Sequence, residues 1–329
     1  MRQLIYYISE QMNPWRNLAI EEALLMKVPK DTVILYLWRN QRTVVIGRNQ
    51  NCFAECNVKC LEEEGGYLAR RLSGGGSVYH DDQNLNFTFL ANAEDYNVDM
   101  QMEVILRAVK SFGLNAEKTG RNDITIDGRK FSGNAFYQNK EKCYHHGTLL
   151  IHTDSEVMSR YLNVSGEKLK SKGVASVKAR VVNLGELSPE ITVETMKKAM
   201  LQAAEDVYGI APVKADAGVC DQELIARLEK KNASWEWRYG RKIPFTWEKE
   251  RRFAWGNVHI RLDVNEGVIQ QAVIYSDAID VEWIAALADY MVQKRFRSPL
   301  VTETLETDMT KERSMILKDI ELMMMEEEE

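Results

Sequence analysis

Apolar residues along this chain fall into short runs that follow two spacings, one of period two and one of helical period. Residues 3–8, 32–38 and 43–47 are brief and rich in β-branched and aromatic side chains, which predicts strands. The second and third, joined by RNQR, predict a hairpin. Asn13-Pro14 offers a capping amide followed by proline at the first helical position, and WRNLAIEEALLMK continues with apolar residues at helical spacing. Residues 49–64 predict one further helix, ended by Gly65-Gly66.

Downstream, strands are expected at 66–71, 77–80 and 85–90, and an amphipathic helix at 99–112 closed by Gly113. Strands at 124–126 and 129–136 flank Asp127-Gly128, a two-residue hairpin signal. Residues 146–152 predict a strand, and 155–169, 193–208 and 221–231 predict helices. Near residue 240 the composition shifts to ASWEWRYGRKIPFTWEKE, rich in tryptophan and charge and containing Pro244. Beyond it lie expected strands at 251–264 and 268–275, a helix at 281–296 and a helical acidic tail. The organisation this predicts is an α+β catalytic domain over residues 1–245, a mixed β-sheet flanked by helices. A small α+β accessory domain over residues 250–329 follows it.

Composition narrows the function. The 45% of apolar residues in 329 suffices for a full core, and a net charge of -6 argues against a nucleic-acid partner. No apolar run reaches the length of a membrane span, and MRQLIYYISEQMNPW lacks the features of a signal peptide. Five cysteines, an odd number without a disulfide framework, fit a reduced cytoplasm. Cys52, Cys56 and Cys60 would share one face of a helix. Their spacing matches no common zinc or iron–sulfur pattern, so they are expected to pack as small hydrophobes.

Chemistry concentrates in YLARRLSGGGSVYHDDQNLNFTFL. Arg70 and Arg71 lead into Ser73 and then Gly74, Gly75 and Gly76, with strand-like sequence on both sides. Three consecutive glycines suit a backbone that must approach something closely with its N–H groups free for an anion. Arginine supplies the charged fork for carboxylate or phosphate. A flexible hairpin with two solvated arginines has the same sequence. The loop is neither a P-loop nor a dinucleotide fingerprint. In RKFSGNAF, strict alternation would put Lys130, Ser132, Asn134 and Phe136 on one face and Phe131, Gly133 and Ala135 on the other. Asn122-Asp123 fits a turn, or a site that orients a metal ion or an amine. Of His145-His146, one is expected to be hydrogen-bonded in the structure and the other exposed. Lys170, Lys172, Lys178 and Arg180 form a basic stretch that would serve either as a phosphate cover or as a solvated loop.

RRLSGGGSVYHDDQN, GRNDITIDGRKFSGNAF, HHGTLLI and KGVASVKARVVNL, in this order, resemble the lipoate–protein ligases of the lipoyl/biotin ligase superfamily. WRNQRTVVIGRNQN and WEWRYG extend the resemblance over nearly the whole chain. It departs at Gln83, where the family places a glycine. The resemblance implies a biotin/lipoate ligase-like fold and a two-step reaction. ATP and lipoate give lipoyl-adenylate and pyrophosphate, and the acyl group then passes to a lysine of a lipoyl domain. Acceptors would be E2 subunits of 2-oxoacid dehydrogenases and the glycine-cleavage H protein, served by a monomer without nucleic acid or membrane. Lys130 and Arg71 would be catalytic. ATP would meet Arg71, Gly76, Ser77, Val78, Tyr79, Asn122, Asp123, Lys130 and Arg180, with Mg2+ near Asp123 and residues 172–183 as a mobile adenylate loop. Lipoate would meet Arg71, Ser73, Gly74, Gly75, Gly76, His80, Lys130, Gly133, His146 and Gly147.

Two rivals share parts of this pattern: an ATP-independent octanoyl or lipoyl acyltransferase with a cysteine nucleophile, and a non-catalytic module that binds lipoyl domains or small acids. The acyltransferase needs its cysteine before the lysine hairpin, and residues 61–142 contain none. A biotin ligase would need a GRGR-type loop, which is absent.

Overall fold

Every residue of the strand Thr32–Trp38 is buried, because the large sheet it belongs to is covered on both faces. The computed structural model describes residues 2–120, 122–163, 181–216, 219–240, 243–300 and 309–326. The chain divides into two units. One comprises Met1–Ile46, Cys52–Ser73 and Ser77–Arg238; the other comprises Gly47–Asn51, Gly74–Gly76 and Tyr239–Glu329.

The first unit opens with β1 (Gln3–Ile8) and α1 (Pro14–Lys27), whose Asn13 side chain caps the Trp15 and Arg16 amides. Next come β2 (Thr32–Trp38) and β3 (Thr43–Ile46). These two do not form the expected hairpin: β2 enters the large sheet and β3 a separate small one. The connection between them is tied down instead, with Asn40 buried and the Gln41 amide donating to the Met12 carbonyl. The single helix expected at 49–64 is two, α2 (Cys52–Glu55) and α3 (Val58–Glu63). Asn57 breaks it by capping α3 through the Cys60 amide, a role asparagine favours over helix interiors. Cys52, Cys56 and Cys60 therefore do not share one helix.

The order continues with β4 (Tyr67–Arg70), β5 (Val78–His80), β6 (Asn84–Asn92) and α4 (Val98–Lys110). Then come β7 (Glu117–Thr119), β8 (Asp123–Ile126), β9 (Arg129–Gln138) and β10 (Lys142–Leu150). Asp127 and Gly128 both take positive φ (51° and 73°) in the β8–β9 turn, as its sequence requires. Helix α5 (Ser155–Tyr161) ends where Leu162 turns extended and bridges to Cys56, so the expected helix is broken there; its residues 164–169 lie outside the described residues. After it come α6 (Leu184–Leu187), α7 (Val193–Tyr208), β11 (Val213–Lys214), α8 (Gln222–Ala233) and α9 (Trp235–Tyr239).

The large sheet runs β11-β1-β2-β6-β10-β9-β8-β7, and the small one β4-β3-β5. In the large sheet β1 is parallel to both neighbours, and from β2 to β7 every pairing is antiparallel. Period two then sorts the side chains. Val33, Leu35, Leu37, Phe87 and Phe89 pack with α4 and α7, while Ile34, Tyr36, Trp38 and Tyr144 pack with α1 and α8. The second unit is the meander β12 (Trp247–Phe253), β13 (Gly256–Asn265) and β14 (Val268–Ser276) with α10 (Val281–Met291) and α11 (Lys311–Met325). Two strands thus stand where one was expected at 251–264, and α10 ends at Met291 rather than 296. Its core joins Val258, Ile260 and Leu262 to Ile284, Leu287, Ile316 and Ile320. Within this unit Gly75 donates its amide to the Asp277 carbonyl at 3.3 Å, and a Cβ on Gly74 would stand 2.2 Å from the Ala278 oxygen.

His145 and His146 are both buried, so the expectation that one is exposed is corrected. Successive residues of β10 face opposite sides of the sheet. His145 is enclosed by Phe87, Phe89 and Phe136, and burial pushes its pKa down to about 3.

Two consequences are measurable. Gly147 has no room for a side chain, since a Cβ there would lie 2.6 Å from Phe87 Cζ and 2.7 Å from the Gly133 carbonyl. Gly147→Ala is expected to lower the stability of the ligand-free protein by about 1–3 kcal/mol in urea unfolding. Between pH 6.5 and 3 an unfolded His145 binds a proton that the folded one refuses, so stability rises with pH across that window. From pH 7 to pH 5 the wild type should lose about 2 kcal/mol more than His145→Phe. Equal losses would show that this histidine is not held neutral.

Candidate functional site

The site lies on the face of the large sheet that packs toward α1, where polar residues interrupt the apolar pattern. Asn17 and Glu21 are one helical turn apart on the buried stripe of α1, in line with Leu24 and Leu25. Glu21 is 2% exposed. A carboxylate so placed must be supplied with donors. Thr88 on β6 donates its hydroxyl to Glu21 Oε1 at 2.7 Å, and Trp38 Nε1 donates to Thr88 Oγ1 at 3.1 Å. His146 Nδ1 lies 2.8 Å from the same Glu21 oxygen. Because an ionised carboxylate only accepts, His146 donates through Nδ1. In the neutral imidazole Nε2 then accepts from the Ser73 hydroxyl, 2.8 Å away.

Ser73 Oγ in turn accepts from Arg71 Nε at 3.0 Å. The chain of donors thus runs from a buried guanidinium through serine and histidine to a buried carboxylate. Arg71 also donates through Nη1 to the Val45 carbonyl on β3. Its burial pulls the guanidinium pKa down to about 10, and the nearby Glu21 and Glu55 carboxylates oppose that shift. The neighbouring Arg70 has a different task. Its Nε and Nη2 donate to the Trp237 and Arg238 carbonyls at 2.8 and 2.9 Å, and Trp237 Nε1 returns a bond to the Arg70 carbonyl. Arg70 therefore holds Trp237 and Arg238, the last residues of the first unit, beside β4.

Lys130 occupies the same sheet face farther along. The expected alternation fails here because β9 carries a β-bulge: Thr125 pairs with Lys130 and Ile124 with Ser132, so Phe131 is an extra residue. Phe131 enters the α4 side of the core. Lys130 moves to the opposite face, over Gly133, where a Cβ would stand 3.0 Å from Lys130 Nζ. That is the face of His146 and Thr148 on β10, since Gly147 pairs with Asn134 and the Gly133 amide donates to Thr148 Oγ1. Lys130 Nζ pairs with Asp123 Oδ1 at 2.7 Å, both side chains being partly exposed. Asn122 offers its carbonyl to the Asn134 amide and side chain, which makes it a clamp on β9. Of residues 172–183, only 181–183 lie within the described residues. Val181 bridges to Lys130, and the Val182 amide donates to the Lys130 carbonyl at 2.9 Å. Arg180, Lys170, Lys172 and Lys178 lie outside the described residues.

The remaining expected residues sit on or beside β5. Ser77 Oγ donates to Glu55 Oε2 at 3.2 Å, Val78 is half-buried, and Tyr79 packs its ring against Tyr161. His80 is 3% exposed, with its ring edge-on to Trp38. Burial pushes its pKa down to about 3, with the charge of Arg71 acting in the same direction. The cysteines supply no nucleophile here. Burial holds the Cys56 thiol up at about 12 and Cys143 at about 11, far from thiolate at neutral pH. Among the described residues, no group of three or more His, Cys, Asp or Glu is arranged to hold a metal ion. The residues that sequence reasoning missed are Glu21, Asn17 and Asn40. Glu21 was detectable as a charge on the apolar stripe of α1, whereas nothing local marks Asn40.

Residues 13–205 match the family described as the lipoyl protein ligase A/B catalytic domain, and residues 242–323 match the bacterial lipoate protein ligase C-terminus. A lipoate-protein ligase A of Psychrobacter cryohalolentis is 39% identical over 292 residues, 86% of each chain. Among solved structures, LipL1 of P. falciparum in complex with lipoate superposes with a TM-score of 0.84 at 28% identity, covering 98% of this chain and 100% of that one. The bi-partite lipoate protein ligase of Thermoplasma acidophilum, described with its E2 lipoyl domain, gives 0.65 at 25% identity over 75% of this chain and 99% of its own. With a family match over more than half of its length and a close relative along most of it, this chain belongs to the lipoate–protein ligase family.

Proposed function

We propose that this chain activates lipoate with ATP and transfers the lipoyl group to a lysine of lipoyl domains. The carboxylate oxygen of lipoate attacks the α-phosphorus, a P–O bond forms and pyrophosphate leaves. The acceptor lysine's amine then attacks the acyl carbonyl, an amide forms and AMP leaves. The observation that carries this reading is the single sheet face shared by Lys130 and the Arg71–Ser73–His146 chain. Bringing a carboxylate onto a phosphate joins two anions, so fixed cations must stand where the charge develops. Lys130 and Arg71 are groups of that kind. In this reading both are catalytic, with Ser73, His80, Gly133 and His146 beside the acyl substrate and Ser77 to Tyr79, Asn122 and Asp123 beside the nucleotide. The assignments of Gly74, Gly75, Gly76, Gly147 and Arg180 rest on the family resemblance.

Magnesium, which takes one or two carboxylates along with phosphate oxygens, would be held by Asp123, and it would supply shielding of the phosphate charge. Asp123 already neutralises Lys130, so nucleotide binding would compete for that lysine. The catalytic domain is assigned to residues 1–245 and the accessory domain to 250–329. Acceptors are E2 subunits and the H protein, and the enzyme acts as a cytoplasmic monomer. No helix among the described residues is long and apolar enough to cross a membrane. The acyltransferase alternative has less support, since its thiol would have to come from cysteines held protonated by burial.

Lys130→Ala should reduce lipoate-dependent exchange of pyrophosphate into ATP by about a hundred- to a thousandfold while the circular dichroism spectrum is unchanged. Exchange at the wild-type rate would remove Lys130 from the reaction. Transfer of an acyl group without ATP, lost on replacing the cysteines with serine, would support the acyltransferase instead.

A further inference from the structure

The ladder between β9 and β10 ends at the pair Asn134–Gly147, and the amide of the next residue of β9, Gly133, donates to a side chain, Thr148 Oγ1, at 3.4 Å. Lys130 Nζ and Thr148 Oγ1 lie 3.0 and 4.0 Å from the point a Gly133 Cβ would occupy. Ammonium and hydroxyl thus flank the same bare stretch of backbone, on the face of the sheet that carries the site. Thr148 is half-buried there. A hydroxyl that accepts from an amide keeps its own proton for a second contact, and no described residue takes that proton. A carboxylate with a hydrogen bond of about 2.8 Å on each oxygen spans two donors so placed.

We propose that Thr148 is a further catalytic residue, whose hydroxyl donates to the acyl oxygen that does not join the phosphate. The inference rests on the reading that places the lipoate carboxylate beside Lys130. Lys130 meets the oxygen that bonds phosphorus together with the phosphate, and the second oxygen falls to Thr148. A neutral donor suits that oxygen, which is half of a carboxylate at first, a carbonyl in the acyl-adenylate and an oxyanion during transfer. As the acceptor amine bonds the carbonyl carbon, the π electrons of the C=O bond move onto this oxygen. They return when the C–O bond to phosphate breaks, AMP leaves with the electron pair of that bond, and the nitrogen's surplus proton passes to water. Thr148 keeps its proton throughout and stabilises the charge where it peaks. The Gly133 amide holds Oγ1 in place beforehand, so the donor need not be reorganised during the step.

Transfer from supplied lipoyl-adenylate to an unmodified lipoyl domain, followed over a single turnover of the full chain, isolates that step. Thr148→Val should slow it about a hundred- to a thousandfold with ATP affinity unchanged, and Thr148→Ser, which restores the hydroxyl, should stay within about threefold of wild type. Transfer by Thr148→Val at the wild-type rate would overturn the proposal. So would an equal loss in Thr148→Ser, which would place the role in the methyl group and its packing. The infrared stretch of an isotope-labelled acyl carbonyl in bound lipoyl-adenylate reads the contact itself. It should lie lower in wild type and Thr148→Ser than in Thr148→Val, and one frequency in all three would overturn the proposal. Failure of the wild type to exchange pyrophosphate into ATP with lipoate would remove the reading on which the inference rests. Exchange and transfer intact in the wild type, with Thr148→Val unaffected, would remove this inference alone. If Thr148→Val does not fold, Thr148→Ala removes the same hydroxyl and is judged by the same two measurements.

Discussion

A carboxylate sealed under a β-sheet must be surrounded by donors, and Glu21 imposes that requirement on much of the first unit. Its donors come from β6 and β10, and through Ser73 the requirement extends to the small sheet and Arg71. Helix α1, two strands of the large sheet and the segment after β4 are thus set relative to one another by one acceptor. The two buried charges of opposite sign lie at the ends of the chain of bonds. Removing the carboxylate would leave buried donors without their acceptor, at a cost of about 1–3 kcal/mol. Glu21 is consequently structural and electrostatic together. It holds the donors in place and, together with Glu55, supplies negative charge near the buried guanidinium.

The three buried histidines show how one side chain is fixed in either of two tautomers. His146 is set by a carboxylate on Nδ1. His145 donates through Nε2 to Asn134 Oδ1, because Asn134 gives its own amide protons to the Asn122 carbonyl. His80 is set from Nδ1 by Asn40, whose Oδ1 takes the Asn17 amide that also meets the Gln11 and Arg39 carbonyls. For His145 and His80, backbone carbonyls at the far end of the chain decide the outcome, since they cannot reverse direction as hydroxyls can. Packing delivers these carbonyls, so proton positions in the site follow from the fold.

Much of this could be read in the sequence wherever local rules governed. The Asn13-Pro14 helix start, the Asp127-Gly128 turn and the strand at β2 follow from capping, turn chemistry and β-rich composition. What local rules could not supply was pairing at a distance. TVILYLW and TVVI look like a hairpin, yet Asn40 between them is claimed by Asn17 and His80, and the strands part. The cysteine stretch has helical spacing, but Asn57 finds a better role as a cap. In the site, Arg71, Ser73, His80, Lys130 and His146 stood out by residue type. Their grouping, and the participation of Glu21, depend on strand order, which no run of residues encodes by itself.

The bulge in β9 gives the address of Lys130 an unusual dependence. In a regular strand the face a side chain occupies is set by parity along the ladder, and here one surplus residue, Phe131, shifts that parity between Lys130 and Ser132. Were the bulge to straighten with every residue kept, Thr125 would face Phe131 and Lys130 would face Ile126, which belongs to the α4 side of the core. The ammonium group would then turn into the apolar layer and the phenyl ring out of it, with every side chain chemically intact. The bulge, and not the identity of the lysine alone, thus keeps the cation on the polar face.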